Sequence, residues 1–229
     1  MLNEGLQEIE EFLKEQPGMS LAPSRNQLLI LKGKFSFCAS LPNFPEIKDF
    51  YNILIILPHN FPYDLPAIVG LDDKVREGDN PHLDKDRNLC LGVPLQLKKI
   101  FSENQTFSGF IDNCLVPYFY GVSYNKIYKK FPFGEIGHEP AGALIEYQNM
   151  LGLSNSNQVK LAFKLLGMRE RIANKEPCPC GCGNRLGKCG FRIKLKEYRR
   201  LEGRSWYNTK AIGFIPLTDL EYKKLSRKK

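Results

Sequence analysis

Residues 50–66 read Phe50-Tyr51-Asn52-Ile53-Leu54-Ile55-Ile56-Leu57-Pro58-His59-Asn60-Phe61-Pro62-Tyr63-Asp64-Leu65-Pro66. The aliphatic and aromatic run Phe50 to Leu57 predicts a buried β-strand. Three prolines in the next nine residues then impose a stiff turn, because proline holds its φ and has no N–H to give a ladder. Ala67 to Leu71 supplies a short further strand after it. Upstream, Gln27 to Leu31 and Gly33 to Ala39 carry the same residue types and are punctuated by Gly, Pro and Asn, so the expectation is a meander of four antiparallel strands.

The meander is preceded by an amphipathic helix. Leu2, Leu6, Ile9, Phe12 and Leu13 recur at three to four residues, acidic groups come early and Lys14 late, and Pro17-Gly18 ends the run. Residues 72–95 show little periodicity and predict a long ordered or functional loop around Leu89-Cys90-Leu91-Gly92. Helical spacing returns in Phe107 to Tyr120, around Ala141 to Leu151, and from Asn157 to Ala173. Phe191, Ile193 and Leu195 alternate with Arg192, Lys194 and Lys196, which predicts a strand with one wet basic face. The fold class is α+β, with a first domain over residues 1–155 and a helical linker and basic module over 156–229.

The 229-residue chain is 42% apolar, enough for a sizeable core, and a soluble globular protein is expected. No stretch reaches the length of a membrane span, and Met1 opens on acidic amphipathic sequence in place of a signal peptide, so the expected compartment is the cytoplasm. Residues 156–229 hold 19 Lys/Arg against 6 Asp/Glu, and residues 1–155 hold 14 against 19. An acidic body thus carries a basic tail. Charge alone does not choose among nucleic acid, an anionic membrane, an acidic protein or plain solvation of that tail.

Four of the seven cysteines crowd into Cys178, Cys180, Cys182 and Cys189, a spacing that suits a metal better than a disulfide framework. Cys38 and Cys114 fall on apolar strand and helix patterns and are expected to pack. Cys90, between two leucines in a turn-rich loop, has two readings: a small buried hydrophobe, or an exposed nucleophile.

The order of helix, meander, proline turn, short strand, loop cysteine and helix over residues 1–150 resembles the ubiquitin-conjugating enzymes. Leu57-Pro58-His59-Asn60-Phe61-Pro62 with Pro66 is similar to that family's proline signature, and Leu89-Cys90-Leu91 to its apolar-Cys-Leu triplet. Where the family carries His-Pro-Asn, this chain has Asn80-Pro81-His82, with His82 eight residues before Cys90, and the family's Trp after the cysteine is absent. These departures resemble the divergent prokaryotic branch, members of which occur in antiphage (CBASS) operons beside cGAS-like nucleotidyltransferases.

The resemblance implies a ubiquitin-conjugating-like transferase. Cys90 would accept the C-terminus of a partner protein, expected to be a cGAS-like nucleotidyltransferase, as a thioester and pass it to an amine. His82 is expected as base or N–H donor, Asn80 and Asn88 as further donors, and Asp84 and Asp86 as groups that hold or deprotonate an incoming lysine. His138, in Gly134-Glu135-Ile136-Gly137-His138-Glu139, either folds over the cysteine or belongs to a turn capping the next helix. A loop-closing hydrogen bond is the competing role for His82. No Gly-rich adenylate-binding stretch follows a strand, so an activating enzyme is expected in trans. The alternative is a catalytically inactive conjugating-fold adaptor that scaffolds a complex through its metal module and basic tail, and nucleic-acid binding by that tail ranks below either protein-partner reading.

Cys178-Pro179-Cys180-Gly181-Cys182 with Cys189 resembles the SEC-C motif, whose pattern is Cys-x-Cys, eight residues, then Cys and a final Cys or His. Gly190 stands at the last position, which makes Cys182 the candidate fourth thiolate. The resemblance implies a structural Zn2+ held by Cys178, Cys180, Cys182 and Cys189, since four protein ligands leave no open position. A redox-sensitive thiol cluster is the competing reading.

Overall fold

The computed structural model describes residues 2–23, 28–76, 83, 87–132 and 140–209. Two compact units divide the chain, Met1–Glu135 and Ile136–Lys229. Together they are α+β as expected: the first carries an N-terminal helix and a four-stranded antiparallel sheet, and the second is helical around a cysteine cluster. The expected division at 155/156 followed the change in charge. In the structure that change falls inside the second unit, where the helix ending at Leu151 packs on the one beginning at Ser156.

In the first unit, α1 (Leu2–Glu15) leads into strands β1 (Met19–Ala22), β2 (Leu29–Ala39), β3 (Ile47–Leu57) and β4 (Ala67–Gly70), paired in sequence order and all antiparallel. Tyr51, Ile53, Ile55 and Leu57 alternate onto the buried face of β3, as a half-buried strand requires. The strands expected at 27–31 and 33–39 are one strand, and β1 was not expected. Gly33 is the reason for both differences. It lies in mid-strand at φ 141°, pairs with Met19 and Ile53, and a Cβ there would strike the Gly18 carbonyl oxygen. A residue that resembles a break is therefore the one that lets β1 close on β2.

The sheet's buried face is covered by helices through aromatic packing. Phe12 of α1 meets Phe35 at 6.2 Å and Phe107 at 5.1 Å, and Tyr51 stacks on Phe119 at 4.3 Å. Phe107 and Phe119 belong to one helical run, α3 (Phe107–Phe110) and α4 (Val116–Tyr128), joined by a π-helical turn over Ile111–Leu115. That wide turn precedes Pro117, which cannot donate to a carbonyl four residues back. The Tyr51 hydroxyl sits 2.7 Å from Ser123 Oγ, and Ser123 donates to Asp49 at 2.8 Å. Lys74 closes this chain on the other oxygen of Asp49; against burial, which pushes the Asp49 carboxyl up, the hydrogen bonds from Lys74, the Phe50 N–H and Ser123 hold it below its usual range.

The second unit contains α5 (Pro140–Leu151), α6 (Ser156–Gly167), α7 (Glu170–Ala173), α8 (Phe191–Leu201) and α9 (Arg204–Thr209). Its core joins Tyr147, Phe163 and Tyr207, with ring centroids 4.8 and 5.8 Å apart. The helix expected over 157–173 is broken at Met168, whose backbone is extended; Met168 N–H closes the last turn on Leu165 O at 3.2 Å, and Arg199 donates to the carbonyls of Leu165, Leu166 and Met168 around the break. The strand expected at 191–198 is instead the helix α8. Leu195 and Tyr198, three residues apart, are its buried pair, while Ile193 is 60% exposed. Short alternation misled because Arg, Lys, Leu and Glu dominate the segment and favour helix. No helix among the described residues is long and apolar enough to cross a membrane.

Two glycine substitutions test the first unit with opposite signs. Gly33→Ala is expected to destabilise by about 1–3 kcal/mol, from the strained φ and the clash with β1. Gly121→Ala, inside α4 where a Cβ meets only Phe131 Cδ1 at 4.0 Å, should stabilise by about 0.5–1 kcal/mol. Urea-denaturation midpoints measure both.

Candidate functional site

Cys90 is placed by the residues on either side of it. Leu89 donates its N–H to Ile68 O at 2.9 Å, Gly70 donates to Arg87 O at 2.9 Å, and Asn88 bridges Val69, so residues 87–89 lie along β4 as a further antiparallel partner. The Arg87 side chain fastens the same edge, donating to Gly70 O at 2.9 Å and pairing with Asp73 at 3.1 Å. Leu89 is buried in the core, and extended backbone sends the next side chain the opposite way. Cys90 is therefore exposed, Leu91 packs back against the core, and Val93 is buried at the start of α2 (Pro94–Glu103). Among the described residues, the hydrogen-bond partner of Cys90 Sγ is the Gly92 carbonyl at 3.9 Å.

Helix α2 was not expected from the sequence, although Pro94 marks its first turn. It ties the cysteine loop to the proline turn. Lys98 reaches Tyr63 O at 3.3 Å and Asp64 Oδ1 at 3.2 Å, and Phe101 meets Phe61 at 5.8 Å. The turn itself is closed by Phe61 N–H on Pro58 O at 3.0 Å and Tyr63 N–H on Asn60 O at 2.8 Å. The proline turn is thus braced on the helix that follows the cysteine loop.

Asn80, His82, Asp84, Asp86, Glu135 and His138 lie outside the described residues, as do residues 210–229 of the basic tail. Asn88 is exposed at the strand edge beside Cys90.

Cys38 departs from the expectation that it packs. Phe35 and Phe37 take the buried face of β2, so Cys38 faces out, opposite Lys48 and near Glu46. Glu46 and Lys48 pair at 3.1 Å; the bond holds the Glu46 carboxyl below its usual range and the Lys48 ammonium above its own. Cys114 packs as expected, 3% exposed, and burial pushes its thiol up to about 11.

The second constellation is complete within the described residues. The sulfurs of Cys178, Cys180, Cys182 and Cys189 all lie within 4.8 Å of one another, with Cys178 to Cys180 at 3.2 Å and Cys180 to Cys189 at 3.7 Å. Sulfurs around a tetrahedral ion with bonds of about 2.3 Å stand about 3.8 Å apart, so this set can hold one metal ion. Backbone bonds draw the loop into shape: Cys178 N–H to Asn184 O at 2.8 Å, Leu186 N–H to Glu176 O at 2.8 Å, and Gly187 N–H to Asn174 O at 2.9 Å. Gly181 and Gly183, at φ 78° and 76°, make the reversals between the second and third ligands and just after the third. Leu186 is buried beneath the loop.

The four thiols differ in setting. Burial raises the Cys178 thiol, whereas Cys182 is exposed and is drawn down to about 7, first by the Asn184 backbone N–H. Cys189 accepts the Phe191 N–H at 3.5 Å, a donor suited to a thiolate. Comparison with protein families, with curated proteins and with solved structures finds no match to this chain.

These settings predict an order of thiol alkylation in the native, metal-loaded protein at pH 8. Cys90 and Cys38 should label first, the four clustered thiols should label only after chelation, and Cys114 should label only on unfolding. Peptide mapping after timed alkylation reads the order; early labelling of Cys114 or protection of Cys90 contradicts it.

Proposed function

We propose that this protein is a ubiquitin-conjugating-like cysteine acyltransferase whose nucleophile is Cys90. The observation that carries the reading is the exposure of Cys90 between two inward-facing leucines, on a loop pinned at one end to β4 and at the other to α2. A thiolate so placed can attack an activated C-terminal carbonyl, expel the activating group and hold the acyl group as a thioester. An incoming amine then attacks the same carbonyl, loses its proton to a base, and the thiolate leaves. The helix, antiparallel meander, proline turn and braced cysteine loop support a ubiquitin-conjugating-like fold for the first unit. On the resemblance of its motifs, the donor is a cGAS-like nucleotidyltransferase in antiphage defence, activated in trans, and the setting is the cytoplasm. His82, Asn80 and Asp84 are the proposed base, amide donor and amine-holding carboxylate, and His138 a further loop contributor.

The second reading is a catalytically inactive conjugating-fold adaptor that scaffolds a complex. Reconstitution with the proteins encoded beside it separates the two. The acyltransferase shows, by intact mass, a hydroxylamine-labile adduct that is absent from Cys90→Ala. No adduct under any activating condition, with partner binding retained in Cys90→Ala, overturns the enzyme and leaves the adaptor.

We further propose that the ion of the second unit is a structural Zn2+, because four cysteine sulfurs match its preferred tetrahedral thiolate set and leave no position for substrate. Purified protein should carry about one zinc per chain. Cys178→Ser should lose the ion and the helical signal of the second unit together. Full helicity in a metal-free Cys178→Ser protein would show that the ion is not structural.

A further inference from the structure

We propose that the exposed face of α8 binds the phosphate backbone of nucleic acid. Between residues 140 and 209, thirteen Lys/Arg stand against five Asp/Glu, and α8 alone carries Arg192, Lys194, Lys196, Arg199 and Arg200 against Glu197. Two of these cations are half-buried against the fold. Arg199 bonds the three carbonyls at the end of α6, and Lys194 extends its ammonium to within 3.2 Å of where a Cβ on Gly152 would sit. The other three, Arg192, Lys196 and Arg200, are all exposed and have no ion-pair partner among the described residues.

Their positions form a column. Steps of four residues keep side chains on nearly one line of a helix, about 6 Å apart along its axis. Like charges at that spacing repel and weaken a helix, and Glu197, three residues before Arg200, is the single acidic group on α8 to offset them. A one-sign column therefore costs the isolated fold stability and is recovered by a partner that carries regularly spaced negative charge. Two of its three members are arginines, whose planar forks bind phosphate bidentately.

The opposite face of α8 argues against insertion into a membrane, since Ile193 is the helix's one large exposed apolar side chain. A helix that lies in a bilayer surface must present an apolar face to it, and here Leu195 and Tyr198 are buried, with the Tyr198 hydroxyl bonded to Met150 O at 2.9 Å. Regular phosphate spacing favours nucleic acid over an acidic protein, whose carboxylates need not repeat. This inference rests on α8 alone, and its test is independent of Cys90.

The test is fluorescence anisotropy of labelled single-stranded RNA, single-stranded DNA and duplex DNA with the full, metal-loaded chain. Arg192→Gln, Lys196→Gln and Arg200→Gln are combined in one variant, whose circular dichroism and metal content are checked against the parent. The parent should bind at 50 mM salt and weaken steeply as salt rises. The triple variant should lose about tenfold or more in affinity and flatten the single-strand log–log salt slope by about 2, near 0.7 for each of three lost phosphate contacts. The charge-retaining variant Arg192→Lys, Lys196→Arg, Arg200→Lys should keep binding. Three results overturn the proposal: no binding by the parent at 50 mM salt, an unchanged slope in the triple variant, or equal competition by polyglutamate at matched charge.

Discussion

The backbone bond from Leu89 N–H to Ile68 O, with the Leu89 side chain buried in the core, governs everything that can be said of the first unit's chemistry. Once Leu89 is fixed inward, an extended backbone leaves the next side chain no choice but solvent. Slipping that pairing by one residue would bury Cys90 and expose two leucines, so the apolar faces of Leu89 and Leu91 hold the register. The rest of the unit serves this pin: β4 offers the carbonyl, β3 carries β4, and the aromatic contacts of Phe12, Phe107 and Phe119 seat the helices that cover the sheet.

The second unit solves a different problem. A short glycine-rich loop cannot bury enough surface to hold its own shape, and its backbone bonds to Glu176 and Asn174 and the buried Leu186 supply only part of the restraint. The four sulfurs stand close enough to hold one ion, and an ion bound there would supply the remainder, since binding free energy at such a site is folding free energy. The cysteine loop leads directly into α8, which begins two residues after Cys189.

Much of this was legible in the chain and some was not, for reasons that residues make plain. Tyr51 to Leu57, with its unbroken aliphatic run, and the four cysteines between 178 and 189 could be read directly, because buried strands and thiolate clusters tolerate few other residue types. Gly33 looks like punctuation in the sequence, since what it permits, the close approach of Gly18, is a contact between distant residues and leaves no local mark. Cys38 was assigned to the core from apolar neighbours, whereas parity with Phe35 and Phe37 places it outside. The alternation in Phe191 to Lys196 reads as a strand, whereas the helix-favouring composition and Tyr198, three residues beyond Leu195, signal the helix. The basic column escaped notice for that reason, because Arg192, Lys196 and Arg200 align only once the segment is helical.

The claim at the centre of the account is that the acyl group sits on residue 90. Replacing that sulfur by oxygen in Cys90→Ser, in cells that carry the native neighbouring genes, converts a labile thioester into an oxyester that survives thiols and yields to base. Peptide mapping of the isolated protein should then find the acyl adduct on residue 90 and nowhere else. An adduct on Cys38, the other exposed thiol outside the metal loop, or full loss of adduct with activity intact, would contradict it.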